Sequence, residues 1–306
     1  MNWKNKALIM NILSKLPLGE FLYITVQRLF GRLNSSPYSR IPYIIKMLSW
    51  LKAQGDLVND KILFEVGTGH IPLLPIGFFL AGAKKVYTYD LNKRLQLNML
   101  TETLEHLIQT KEEIKTLFLD FVTEPIFEER FNIINEYHKK PEEFLKRANI
   151  IYVAPGDAAE SKVEDKSIDL HFSCTTFEHI PFQILNNIMI ECIRILKDSG
   201  KSIHFIDPSD HFQHQDNTIT KINFLKYSQE EWAKIGENQF AYCNRLRYLE
   251  YKKIFTNLGL RILKEDKSLC LESVESIKHG FQIHKDFESY SIEDLCVTSY
   301  DVLLQK

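Results

Sequence analysis

The sequence predicts an α/β fold, a mostly parallel sheet of seven strands with helices on both faces. Three observations predict it. Between Lys61 and Gln305, short apolar runs alternate with longer segments of helical period, the pattern of strands joined by helices. The first run ends in an acid and turns through two glycines, Glu65-Val66-Gly67-Thr68-Gly69, into a helical stretch. The second run, Val86-Tyr87-Thr88-Tyr89, ends in another acid, Asp90.

Residues 1–55 precede this alternation and are helical in period, with Ile9, Leu13, Leu16, Phe21, Ile24, Leu29 and Phe30 recurring between basic side chains. Lys4, Lys6, Lys15, Arg28, Arg32, Arg40, Lys46 and Lys52 stand against Glu20 alone. This segment therefore carries +7, and the rest of a chain of formal charge −2 carries −9. A basic amphipathic segment lies on an anionic membrane surface, closes over an acidic ligand as a lid, or packs on its domain with solvated lysines.

Residues 56–306 form the main domain. Strands are expected at 61–66, 85–89, 149–153, 168–173, 201–206, 261–267 and 295–304. Helices are expected near 71–82, 92–117, 140–147, 182–197 and 247–258, and the stretch from Asp90 to Ala148 has room for two. A polar and aromatic insertion at about 207–246 separates the fifth strand from the next helix. Connections of that length in a compact domain are usually functional or disordered, and a substrate-covering role is expected here.

The bulk numbers narrow the function classes. A composition of 44% hydrophobic and 25% charged residues is ordinary for a soluble globular chain. No apolar run reaches the roughly 18 residues a spanning helix needs. Ile71 to Ala83 comes closest and is broken by two prolines and a glycine. Five scattered cysteines without a CxxC pair point to reduced thiols in the cytoplasm, and no secretory cleavage pattern is expected. The balanced total charge gives no reason to expect a nucleic-acid partner.

A strand that ends in an acid and turns through glycines into a helix suits an anionic nucleotide. Glycine lets backbone approach the ligand, and the helix start offers unpaired N–H donors. An acid about twenty residues further on, here Asp90, takes the hydroxyls of a ribose. An adenosine-containing cofactor follows.

Two later stations narrow it further: Pro155-Gly156-Asp157-Ala158 after the third strand, and Ser173-Cys174-Thr175-Thr176-Phe177-Glu178-His179-Ile180 after the fourth. Together with Glu65, they resemble the class I S-adenosylmethionine-dependent methyltransferases, especially the small-molecule group with the strand-4 signature S-x-x-x-x-E-H-I/V. Leu196-Lys197-Asp198-Ser199-Gly200-Lys201 is similar to that group's turn before strand five, and Leu258-Gly259-Leu260 to its turn before strand six. The resemblance covers about 61–206 and 247–305. It departs at Ile71, where the family's usual third glycine stands.

The resemblance implies a Rossmann-like sheet with the last strand antiparallel, and S-adenosyl-L-methionine as cofactor. It places Glu65 beside the methionine amine, and Gly67 and Gly69 along the methionine carboxylate and ribose. Asp90 would hold the ribose hydroxyls and Leu91 would lie against the adenine. Asp157 would accept from the adenine amino group, Ala158 would donate its N–H to the ring, and Ser173 would close the methionine end. A nicotinamide-dependent oxidoreductase is the alternative among enzymes, though its fingerprint wants a glycine where Pro72 stands. A non-catalytic methyltransferase-like binding module is the alternative outside them.

A hydroxyl acceptor needs a base near neutral pH, which histidine supplies most readily. His179 follows the fourth strand, and His211 and His214 open the insertion among Asp207, Asp210 and Asp216. The second group reads as a base or substrate-binding site, as a capped polar loop, or as a divalent-metal site; no metal ligand is assigned. Asp210, Asn244 and Arg245 are candidates for binding the acceptor. The Asn-Pro-Pro-Tyr type motif of base amino-methylation is missing after strand four. A small molecule or saccharide methylated on oxygen is therefore expected.

Overall fold

The computed structural model describes residues 2–31, 33–236, 238 and 240–306; Arg32, one of the basic residues of the N-terminal segment, lies outside them. Strands β1 (Ile62–Val66), β2 (Lys85–Tyr89), β3 (Ile150–Val153), β4 (Ile168–Cys174), β5 (Leu196–Ile206), β6 (Arg261–Leu269) and β7 (Val297–Gln305) form one sheet, in the order β3-β2-β1-β4-β5-β7-β6. β1 to β5 pair in parallel, whereas β7 runs antiparallel to both β5 and β6. The expected Rossmann-like sheet with its antiparallel last strand is present. β5 begins earlier than expected because Leu196 already pairs with Ile168.

The helices are α1 (Trp3–Leu13), α2 (Gly19–Leu29), α3 (Ile41–Ala53), α4 (Leu73–Leu80), α5 (Leu97–Gln109), α6 (Lys111–Phe118), α7 (Glu124–Tyr137), α8 (Pro141–Arg147), α9 (Phe182–Ile195), α10 (Gln229–Gly236), α11 (Tyr248–Asn257), α12 (Leu271–Lys278) and α13 (Ile292–Leu295). The single helix expected over 92–117 starts at Leu97 and breaks at Thr110 into α5 and α6. α7 fills the remaining room before β3, with Pro125 in its first turn, where a missing N–H costs nothing.

The central strands of the sheet are buried on both faces, whereas the edge strand β6 is largely exposed. Leu63, Leu170, Phe172 and Ile203 pack into one core with α3, α4, α5 and α7; Phe64, Val66, Val302 and Leu304 pack into another with α9 and α11. Each fully buried Leu or Phe contributes about 1.5–3 kcal/mol, so these two layers supply most of what fixes the sheet. The apolar run Ile71 to Ala83 becomes α4, every residue of which from Leu74 to Leu80 is buried, against α3, α7 and β2. Such a helix, apolar all round, belongs to a core.

Residues 1–55 divide between two layers. α3 closes the first core through Ile44, Met47 and Trp50. α1 instead joins a third cluster with the 207–246 insertion, where the Trp3 ring lies 5.6 Å from Phe212 and 6.4 Å from Trp232. The Trp3 amide donates to Asp216 at 2.7 Å. Val274, Phe287 and Leu295, from a second elaboration between β6 and β7 that sequence pattern does not announce, complete this cluster.

Chain direction reverses at the centre of the sheet. From β1 the chain moves outward through β2 to β3, then returns to start β4 on the other side of β1. The carboxyl ends of β1 and β4 therefore flank the crevice in which open α/β sheets take their ligands. Among the described residues, no helix is long and apolar enough to cross a membrane. All five cysteines are unbridged, and four of them are buried.

Candidate active site

The crevice is walled first by the turn after β1. Gly67 has φ +92° and Gly69 φ +67°, a region of backbone that favours glycine. The Gly67 amide donates to the Tyr89 carbonyl at 2.8 Å, and a Cβ on Gly67 would come within 2.4 Å of the Thr176 side chain. Around Gly69, by contrast, nothing lies within 4 Å of where a Cβ would stand. The turn is thus closed toward β4 and open above Gly69. Helix α4 starts only at Leu73, with Pro72 as the residue before it. Ile71 faces the first core, so a packed side chain stands where the related pattern has a third glycine.

Glu65 sits inside this turn, 2% exposed, and accepts from the Thr88 hydroxyl, which in turn meets Thr68 Oγ1 at 2.5 Å. Burial pushes its carboxyl up to about 8; the Thr88 hydrogen bond and the charge of Arg40 oppose the shift. An uncharged acid at neutral pH, held beside an open turn, is ready to ionise when a cation arrives.

Asp90 laces the neighbouring loops together. Its Oδ2 accepts from the Gly69 amide at 2.9 Å and its Oδ1 from the Asn92 amide at 3.0 Å. Its carbonyl accepts from Gly156 at 2.9 Å. Leu91 stands out beside it, 71% exposed. Across the gap, Asp157 is exposed with one oxygen capping the Ala159 amide at 2.8 Å, and Ala158 is buried. Glu65, Gly67, Gly69, Asp90, Leu91, Asp157 and Ala158 therefore line the carboxyl ends of three adjacent strands. Ser173 does not join them: it is fully buried, and its hydroxyl lies 2.8 Å from Nδ1 of His204, its register partner on β5.

The acceptor side is built at the ends of β4 and β5. A short 3-10 turn, Phe177–His179, follows β4 and carries Glu178 and His179. Glu178 is fully buried, its carboxylate oxygens without a hydrogen-bond partner, and burial raises its proton affinity well above the ordinary range. His179 is exposed, its Nδ1 2.8 Å from the Tyr242 carbonyl. Its ring meets His211 edge-on at 4.9 Å, and His211 stacks on His214 at 5.0 Å. Asp207 Oδ2 lies 3.6 Å from His211 Nε2 and 3.7 Å from His214 Nε2. Desolvation, helped by the neighbouring histidines, lowers His211 to about 4 despite the opposing charge of Asp207, so it is neutral near pH 7.

The three residues expected to bind the acceptor have internal partners instead. Asp210 is 1% exposed, caps the Phe212 amide at 2.9 Å and takes Asn223 Nδ2 at 3.3 Å. Asn244 donates from Nδ2 to the carbonyls of Phe177 and Ile180, both at 2.8 Å, and its amide donates to the Glu178 carbonyl. Arg245 is buried and donates to Phe224, Tyr227 and Gln229. Arg247, likewise buried, ties Pro208 to Val297. These side chains staple the insertion and the Glu178 turn into place.

Comparison with known proteins adds one match. Residues 130–204, from within α7 to β5, match the family described as a methyltransferase domain. That span holds Asp157, Ala158, Glu178 and His179, and it lies in a sheet whose order, crevice and glycine turn are those described above. Over this span the chain is similar to a methyltransferase domain.

None of the curated proteins compared with the chain is similar to it. Among solved structures, the chain is similar to magnesium protoporphyrin IX methyltransferase of Synechocystis PCC 6803 with bound SAH, at 14% identity and TM-score 0.46, covering 87% of this chain and 83% of that one. It is similar to geranyl diphosphate C-methyltransferase of Streptomyces coelicolor A3(2) at 8% identity and TM-score 0.45, covering 85% and 79%. A third, the PH0226 protein of Pyrococcus horikoshii OT3, gives 15% identity and TM-score 0.47, covering 88% and 90%. Likenesses this loose transfer no substrate.

Two residues of the crevice escaped sequence reasoning. Arg40, before α3, donates to Cys174 Sγ at 3.7 Å, lies over the Tyr43 ring at 5.6 Å, and its charge reaches both Glu65 and Glu178. Tyr43 is raised by burial and by the neighbouring Cys174. In sequence, Arg40 was one basic residue among eight, and nothing in local spacing reveals that α3 delivers it to the ends of β1 and β4.

Proposed function

We propose that this protein transfers the methyl group of S-adenosylmethionine to a hydroxyl of a small molecule or saccharide, in the cytoplasm. The observation that carries this reading is the meeting of Asp207, His211, His214 and His179 at the ends of β4 and β5, next to a β1 turn that Thr176 touches. In the proposed complex Glu65 takes the methionine amine and Asp90 the ribose hydroxyls, over the Gly67 and Gly69 backbone. Leu91, Asp157 and Ala158 surround the adenine. The acceptor oxygen attacks the methyl carbon in line: the O–CH3 bond forms as the S–CH3 bond breaks, S-adenosylhomocysteine leaves, and the hydroxyl proton passes to a histidine of the cluster. Catalysis then rests on proximity, exclusion of water and that proton transfer.

The test is S-adenosylhomocysteine formation against panels of hydroxylated small molecules and saccharides. His211→Ala and His214→Ala should each lower turnover by about 100-fold or more, the range of general-base catalysis, while S-adenosylhomocysteine still binds. Turnover that survives both substitutions contradicts the role of the cluster.

A membrane-held acceptor is favoured by a second observation. Leu8, Ile9, Ile12, Leu16, Leu18, Phe21, Leu22, Val26, Leu29 and Phe30 on and around α1 and α2 are all exposed, with Lys4 and Lys15 among them. Single exposed apolar residues are unremarkable, but a continuous array with basic neighbours suits an anionic bilayer surface. A groove of about 520 Å³ between α1 and α10, lined by Leu8, Ile12, Lys15 and Lys234, opens on this region. Because Trp3 and α3 belong to two cores, point substitutions in α2 test this contact, and removal of residues 1–55 does not.

A further inference from the structure

Proton transfer needs one histidine of the acceptor-side cluster, and the cluster holds a larger donor set. One ligand atom each from Glu178, His179 and His211 lie within 4.8 Å of one another. A fully buried carboxylate without a close hydrogen bond is costly, because desolvation disfavours its charge, and here only the backbone of Glu178 and Asp207 and the charge of Arg40 oppose that cost. Both Glu178 oxygens are in that position, beside His211 Nε2, which is also buried and unbonded. Asn244 holds the Glu178 turn at three points, so the carboxylate is kept in place by its backbone.

His179 is oriented as a metal ligand would be. With Nδ1–H donating to the Tyr242 carbonyl, the ring is fixed in the tautomer whose Nε2 lone pair is free. A backbone carbonyl on the far nitrogen is the usual outer partner of a ligating histidine. Asp207 stands beside them, within 4 Å of both His211 and His214, and the His214 ring stacks on His211 with centroids 5.0 Å apart.

We propose that Glu178, His179 and His211 bind a divalent first-row transition-metal cation. Two imidazoles and one carboxylate suit zinc, cobalt, iron or manganese better than magnesium or calcium, which prefer all-oxygen shells. Three protein ligands leave open positions on the cation. The site itself requires neither cofactor nor acceptor; only its use rests on the methyl-transfer reading. There an acceptor hydroxyl would occupy an open position, where the cation favours its alkoxide form, and His214 beside Asp207 would remain to take the proton.

The experiment titrates chelator-treated, full-length protein with Co2+ and with Zn2+, without S-adenosylmethionine, following visible d–d absorption and calorimetric heat. One cation per chain is expected. Glu178→Gln, His179→Ala and His211→Ala should each weaken binding by about 100-fold or more, since even outer partners of metal ligands cost 10- to 100-fold. Calorimetric binding of S-adenosylhomocysteine certifies that each variant is folded. Absence of binding by the wild type, or unchanged affinity in any folded variant, overturns the site. Neither result touches the cofactor crevice, whose failure would show as loss of S-adenosylhomocysteine binding with the cation still held.

Discussion

The Gly69 amide donates to Asp90 Oδ2 at 2.9 Å, joining the turn after β1 to the acid that ends β2. One hydrogen bond thus fixes the relative positions of the two groups proposed to hold the ribose and the methionine of the cofactor. The Asp90 carbonyl extends the link to Gly156 and so to the Asp157 loop. Cofactor recognition should therefore fail cooperatively when any one of these loops is disturbed.

Gly67→Ala is the sharpest such disturbance. It places a Cβ against Thr176 and forces alanine to φ +92°. A non-glycine residue in such backbone costs about 1–3 kcal/mol. Thermal denaturation should show that loss, and Thr176→Ala in the same chain should relieve only the steric part. Full recovery in the double variant would mean that the backbone conformation is unimportant.

Glu65 gives a pH signature. In the folded chain its carboxyl titrates at about 8 against an ordinary 4.5. As pH rises between these values the unfolded chain loses this proton first, so the group's contribution to stability falls across that window and levels off above it. Glu65→Gln should abolish that fall. A cofactor amine would draw the proton off, so calorimetry at pH 7 in buffers of different ionisation enthalpy should record proton release on binding, absent in Glu65→Gln.

Asn244 acts as a positioning residue. Its side chain and amide hold the carbonyls of Phe177, Glu178 and Ile180, and its Oδ1 accepts from Tyr251 at 2.9 Å. Asn244→Ala leaves buried acceptors unpaired, at about 1–3 kcal/mol of stability. Turnover should fall while S-adenosylhomocysteine affinity holds, because the loosened turn carries Glu178 and His179 and not the cofactor loops. Equal loss of both would assign Asn244 to the cofactor side.

The exposed apolar face of α2 can be read by vesicle sedimentation. Phe21→Glu and Leu29→Glu should each weaken association with vesicles containing anionic lipid by about tenfold, from lost burial of about 1.5 kcal/mol or more. Added salt should weaken it further. Wild-type protein that fails to sediment contradicts the membrane-held acceptor.

The sheet was largely legible in sequence because its inner strands are short, mostly apolar runs with little exposure, as in Val86 to Tyr89 and Ile168 to Cys174. The glycine turn and Asp90 were legible because their chemistry is local. What was not legible depends on tertiary contact. Asn244 and Arg245 read as candidates for binding the acceptor, yet long-range carbonyls claim them. Ser173 sits at a strand end in sequence, but the alternation of β4 turns it toward His204 on the opposite face from Cys174. Arg40 reaches the crevice only because α3 packs across the first core. α12 and α13 were missed because short, polar helices between β6 and β7 have no apolar period of their own.

Calorimetric titration with S-adenosylhomocysteine, on the wild type and on Asp90→Ala, tests the cofactor assignment most directly. Saturable one-to-one binding by the wild type, weakened by about tenfold or more when the charged hydrogen bonds of Asp90 are removed, is the predicted result. No heat from a folded wild-type chain, or equal affinity in Asp90→Ala, would contradict it.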